Sequence, residues 1–362
     1  MTEQVAFEPA WANPPGATIA NMLQRRRLPL DEFAWEMEIP ESEVTALFEG
    51  KIHLNDTMAH RLEKVLGVSA DFWIVREAQY RSDTQKLAQR IPEAEANSWI
   101  RALPTKDMVS YGWIGRCDGQ QSLVAECLRF FDVSSIAHFN QRMEGLVGRT
   151  KFRTSANLRS KQHSLGAWLR YGELTAQSTN CEDWNPAKLR KLLPEMRKLT
   201  RLRDPMVFMP KLFALCASAG VVLVTAKSPD GCRASGATMF VSEKKALILL
   251  SFRHLSDDHF WFSFFHECGH LLLHPHNMVI VEGESPEDDE MEKEANQFSE
   301  DVLIPAPWKQ LLQELKPNRE AIVRFAVRAG VSPGIVVGQL QHRGRIGHNF
   351  LNYLKRRYVW VS

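Results

Sequence analysis

Residues 264–274 read FFHECGHLLLH. On an α-helix, histidines four residues apart lie about 40° apart around the axis and one turn above each other, so His266 and His270 can hold one ion from a single face. Glu267 sits roughly 100° from His266, where it can act on a water molecule at that ion without being a ligand. Zinc suits two imidazoles and a carboxylate, taken tetrahedrally with one position left open. The ion brings the pKa of water towards 7, and a glutamate beside it removes the proton as the oxygen attacks a carbonyl. The segment is otherwise apolar, with Phe262, Phe265 and Leu273 on the flank expected to pack inward, which argues against a pair of solvated surface histidines.

The third donor must come from elsewhere. Downstream, EMEKEANQFSEDVLIP (290–305) offers Glu290, Glu292 and Glu294. At about 100° per residue, Glu292 shares its helical face with Ala295, Asn296, Ser299 and Leu303, whereas Glu290, Glu294, Gln297 and Asp301 fall on the opposite, charged face. Only Glu292 combines an inward face with small neighbours, so it is the expected ligand and Glu290 and Glu294 are expected to be solvated. Within the motif Cys268 reads as a small buried residue. Cys232, in PDGCRASG, is a remote candidate for capping the metal in a latent form. His274 is a candidate for stabilising an oxyanion, or for bonding backbone carbonyls at a helix end.

Upstream, AGVVLVTA, ATMFVS and ALILLSF are short apolar runs separated by turn clusters, expected as a small antiparallel sheet. The last of them, 246–252, leads almost directly into the metal-binding helix. As an edge strand it would align an extended substrate through main-chain bonds; as a central strand it would belong to the core.

HECGHLLLH followed by E-x-E-A-N-x-F and then L-I-P resembles the ImmA/IrrE family of zinc metallopeptidases. The likeness extends through DDHFWFSFFHE and GVSPGIVVGQLQHRG and covers most of residues 95–360. It implies zinc (Zn2+) held by His266, His270 and Glu292, with Glu267 as the general base. It also implies a cytoplasmic bacterial or phage regulator that cleaves a protein partner: a repressor, an antitoxin or itself.

Residues 14–80 resemble the XRE-type helix-turn-helix domain, in particular HigA-like antitoxins, through the opening PPG, Ala34, FEGK, MAHRLEKVLG and the closing DFW…Q-x-Y. In that architecture the third helix, 41–49, enters the major groove, with Ser42, Thr45 and Lys51 as candidate DNA contacts. Charge opposes this, since Glu41, Glu43 and Glu49 flank those positions and residues 1–80 balance at −6. A DNA reader neutralises phosphates. Residues 100–205 balance at +8, 206–315 at −8 and 316–362 at +8. Arg343 and Arg345 in the last segment are therefore further candidates for nucleic acid, and Lys355 a companion. Docking of segments on one another, or a homodimer, accounts for the same asymmetry.

The expected fold is α+β and mostly α: an N-terminal helix-turn-helix bundle (1–90), a helical middle (95–205), a zincin-like metallopeptidase domain with a small antiparallel sheet and the HExxH helix (206–315), and a basic helical C-terminal subdomain (316–362). The start, MTEQVAFEPAW, has no basic region followed by an apolar stretch, so no signal peptide is expected. Apolar runs such as ALILL fall far below the roughly 20 residues that span a bilayer, so no membrane partner is expected. Six scattered cysteines without a CxxC pair read as reduced thiols in a cytoplasmic protein. The expected function is a zinc endopeptidase coupled to the helix-turn-helix domain. The alternative is a DNA-binding regulator or antitoxin whose zinc serves structure or sensing.

Overall fold

The computed structural model describes residues 12–48, 50, 54–149, 159–251, 255–282 and 290–359. Contacts divide the chain into two compact units. The first holds Met1–Gly145 and Ser155–Thr179 with the short piece Pro229–Gly231; the second holds Leu146–Thr154, Asn180–Ser228 and Cys232–Ser362.

In the first unit α1 (Pro15–Arg26), α2 (Leu30–Glu36), α3 (Glu41–Phe48), α4 (Asp56–Leu66) and the start of α5 (Ala70–Gln89) enclose Ile19, Phe33, Met37, Leu47, Leu62 and Trp73. Capping residues set the boundaries, as their types require. The Asn55 side chain accepts the Met58 N–H at 2.9 Å, Ser69 caps α5, and Gly67 ends α4 in the left-handed conformation. Five more helices follow: α6 (Glu93–Ala102), α7 (Thr105–Ser110), α8 (Gln120–Phe131), α9 (Ile136–Arg149) and α10 (Arg159–Ser178). The glycine-containing stretch GLVG (145–148) lies inside α9. Trp99, Phe131 and Phe139 pack edge to face between α6, α8 and α9.

The second unit begins with α11 (Pro186–Leu199) and α12 (Pro205–Ser218) and continues into β1 (Val221–Thr225), β2 (Gly236–Ser242) and β3 (Lys245–Leu250). Next come the long helix α13 (Asp257–Leu273), the short strand β4 (Ile280–Val281) and α14 (Glu290–Leu303). The sheet has the order β1-β3-β2-β4. It is mixed, which corrects the antiparallel expectation: β1 pairs β3 in parallel, while β2 pairs both β3 and β4 antiparallel. Strand β3 is therefore central and not an edge. Its residues Ala246–Leu250 are buried without interruption, and an unbroken apolar run, as opposed to an alternating one, is what a strand covered on both faces requires.

α13 packs against β2 and β3, and α12 against β1. The remaining helices, α15 (Ala306–Gln313), α16 (Arg319–Ala329) and α17 (Pro333–His342), share this core through Leu312, Phe325, Ile335 and Leu340. They clasp the start of α13. Asp257 accepts the Asp258 and Arg356 backbone N–H groups, each at 3.0 Å, and the Ser332 hydroxyl at 2.7 Å. Lys355 Nζ lies 2.5 Å from Asp258 and 2.7 Å from the Gln341 side-chain oxygen. Burial raises the Asp257 pKa above the usual carboxylate value, with the Ser332 and Arg356 bonds acting the other way. Among the described residues no single helix is long and apolar enough to cross a membrane.

Candidate metal centre

α13 and α14 lie side by side and between them place the three expected donors together. His266 Nε2 is 2.8 Å from His270 Nε2 and 3.2 Å from Glu292 Oε2, and His270 Nε2 is 3.6 Å from Glu292 Oε1. A tetrahedral zinc with bonds of about 2.0–2.1 Å sets its ligand atoms roughly 3.3 Å apart, so the trio brackets the spacing the ion needs. Among the described residues this is the one group of three His, Cys, Asp or Glu side chains that could hold a metal. The helical-face argument for Glu292 holds: Ala295, Ser299 and Leu303 are buried with it, and Ser299 Oγ donates to the Phe262 carbonyl at 2.9 Å. Gly269 permits the close approach of the helices, since a Cβ there would lie 3.2 Å from Ala295 Cα.

Each histidine is oriented from behind. With Nε2 facing the metal position, His266 Nδ1–H donates to Asn296 Oδ1 at 2.9 Å. His270 Nδ1–H donates to His274 Nδ1, also at 2.9 Å, and His274 Nε2–H donates to Glu294 at 3.0 Å. Such outer partners fix the tautomer and ring plane of a ligand. His274 therefore takes neither expected role; it bridges a ligand to a carboxylate. Glu294, expected to be solvated, anchors that bridge although it is half exposed. Glu290 is exposed as expected. Burial pulls the His266 pKa down, but the Glu292 hydrogen bond and the charges of Glu282 and Glu292 outweigh it and leave the pKa raised.

Glu267 is fully buried, and neither of its oxygens has a hydrogen-bond partner among the described residues. Its pKa stands well above the usual carboxylate range, first through burial and then through the charges of Glu282 and Glu292. The Thr238 hydroxyl acts in the opposite sense from outside good hydrogen-bond geometry. Gly236 and Thr238 share the face of β2 that meets α13. A buried acceptor with no donor is costly, and this one lies one residue from the donor His266.

Cys268 is buried and its thiol is held well up by burial, as a packing residue's is. Cys232 is also buried and stands outside the metal-binding group. On the flank of α13, Phe265 is buried and Phe262 partly so, but Leu273, in the last turn, is 44% exposed.

Of the candidate nucleic-acid contacts, Lys51 and the side chains of Ser42 and Thr45 lie outside the described residues. Arg343 Nη2 is 2.8 Å from Glu300, and the exposed Arg345 bonds the Gln313 carbonyl. Lys355 is buried in its pairing with Asp258. Sequence reasoning missed Gly236, Thr238, Glu282 and the His274–Glu294 bridge. Gly236 opens a β-run, which is a sign of close approach; Glu282 sits in an acidic stretch and carries no distinguishing signal.

Residues 223–341 match the family model of the IrrE N-terminal-like domain, peptidase group M78, over about a third of the chain. The matched segment holds His266, Glu267, His270 and Glu292 with their partners His274, Glu294 and Asn296, and it supports the ImmA/IrrE likeness and a place among the metallopeptidases. No curated protein matches the chain.

Proposed function

We propose that the chain is a zinc-dependent endopeptidase that cleaves a regulatory protein, a repressor or an antitoxin, in response to a signal. The supporting observation is the pairing of a three-donor cluster with a buried glutamate that has no partner of its own. Zinc in that set supplies a Lewis acid and an activated water. His266, His270 and Glu292 would hold the ion, and Asn296 and His274 would keep both imidazoles turned towards it. Glu267 would take a proton from that water and pass it to the leaving amine, its raised pKa making the carboxylate the stronger base. Peptide hydrolysis needs an extended backbone, and β4 offers it a template: it stands at the edge of the sheet with β2 as its one neighbour among the described residues. This moves the presenting strand from 246–252 to 280–281.

The helix-turn-helix likeness of residues 14–80 fits a docking module for the target or for DNA, and free cysteines fit a reducing, cytoplasmic setting. A purely structural zinc would call for a fourth protein donor, and among the described residues the cluster ends at three. The test is to incubate the zinc-loaded chain with unfolded casein and detect new N-termini by mass spectrometry. Wild type should produce them. Glu267→Gln should retain one zinc by elemental analysis and produce none. Zinc lost from that variant, or unchanged cutting, defeats the proposal.

A further inference from the structure

The metal centre contains one carboxylate more than the proposed chemistry uses. Glu292 is a donor and Glu267 is the base; Glu282 is neither, and it lies outside the three-donor group. Its backbone is locked in the sheet. The Glu282 N–H donates to the Gly236 carbonyl at 2.9 Å, and its C=O accepts the Ser235 N–H at 3.2 Å. That ladder seats it across from the glycine that abuts the Glu267 carboxylate. Its charge acts on both Glu267 and His266.

Glu282 is partly exposed as a residue, yet its Oε2 atom is buried and has no hydrogen-bond partner among the described residues. An acceptor left in that state costs on the order of 1–3 kcal/mol. Among the described residues no lysine or arginine bonds that oxygen. Between residues 275 and 308 the one Lys or Arg is Lys293, on the exposed side of α14, and residues 283–289 read GESPEDD. A partner from outside would complete it, and a carboxylate among carboxylates calls for a cation.

We propose that Glu282 determines specificity by binding the ammonium or guanidinium of a lysine or arginine beside the scissile bond. The proposal rests on the peptidase reading above and narrows it to basic segments of protein substrates. Such segments are what DNA-binding proteins use to neutralise phosphates, so the preference directs the enzyme to the nucleic-acid-reading parts of a regulator.

The experiment uses the full zinc-loaded chain and fluorescent ten-residue peptides that are identical except for Lys, Arg, Gln or Glu at each position in turn. Binding is read by anisotropy on the Glu267→Gln variant, and cleavage by mass spectrometry on wild type. Lys and Arg peptides should bind and be cut about tenfold or more better than Gln peptides, with Glu peptides worst. Glu282→Gln should erase the difference at unchanged zinc stoichiometry, and Glu282→Lys should invert it. No preference in wild type, a preference that survives Glu282→Gln, or zinc lost from Glu282→Gln would each overturn the proposal. A Glu282-dependent preference in binding without any cleavage upholds this role and sinks the peptidase reading. Cleavage without preference does the reverse.

Discussion

A Cβ on Gly236 would lie 2.2 Å from Oε1 of Glu267, inside contact distance, so the base occupies space that only a glycine at the start of β2 leaves free. Gly236→Ala must displace either the strand or the carboxylate. The expected result is a folded protein destabilised by about 1–3 kcal/mol, with zinc retained and cleavage reduced on the order of 100-fold through misplacement of the base. Elemental analysis beside a cleavage assay checks it. Cutting at the wild-type rate would mean that Glu267 does not act from this position.

The bridge from His270 through His274 to Glu294 makes a second claim, about affinity. His274→Ala and Glu294→Ala should each weaken zinc binding, by about 10–100-fold for the residue in direct contact with the ligand and by less for Glu294. Glu290→Ala should leave it unchanged. Competition against a chromophoric chelator measures all three. Equal affinities in wild type and His274→Ala would show that the imidazole of His270 needs no support from behind.

The pH dependence of zinc loading follows from His266. In the metal-free protein its pKa is raised above 6.5, with the carboxylates overcoming burial. A raised pKa favours the protonated imidazolium, which cannot bind zinc. Below that pKa, zinc must displace the proton, and apparent affinity should fall by about tenfold for each pH unit per proton released. Above it, the dependence on this group should vanish. Zinc titrations between pH 6 and 9 should therefore bend above 6.5. A bend at or below 6.5 would contradict the assigned balance of burial and charge.

Three substitutions separate fold from surface. Leu249 pairs with Val224 on one side and Ala237 on the other, so Leu249→Pro should unfold the second unit, seen as lost ellipticity. Lys355→Glu would place a third acid beside Asp257 and Asp258, and is expected to cost about 3–5 kcal/mol in thermal or denaturant unfolding. Arg345→Glu, at an exposed site, should leave stability nearly unchanged. Only a variant of that second kind can report on nucleic acid, as a loss of affinity and of salt dependence.

The parts legible in the sequence are those governed by period and chemistry. His266 and His270 announce themselves by spacing, and Glu292 follows from the face it shares with Ala295 and Ser299. Asn55, Ser69 and Gly67 mark helix ends because capping depends on residue type. Strand order was not legible: ALILL shows that a strand is buried, but whether its neighbours run parallel is settled by chain connections that leave no local mark. Glu294 was misjudged for a related reason. A helical wheel gives direction from one axis alone and cannot show that His274, at the end of another helix, reaches across to meet it.

The clasp on the start of α13 also bears on when the protein becomes competent. Asp257 and Asp258 open the helix that bears both histidines, yet the groups that satisfy them, Lys355 and the Arg356 N–H, lie close to one hundred positions later in the chain. A nascent polypeptide emerging from the ribosome therefore presents its histidines and Glu292 long before the helix beneath them is pinned. Until residues 355 and 356 fold back, Asp258 lacks the Lys355 ammonium and Asp257 lacks the Arg356 N–H, although Ser256 already bonds Asp258 from the adjoining turn. The order of synthesis thus places the two histidines before the residues that secure the root of the helix carrying them.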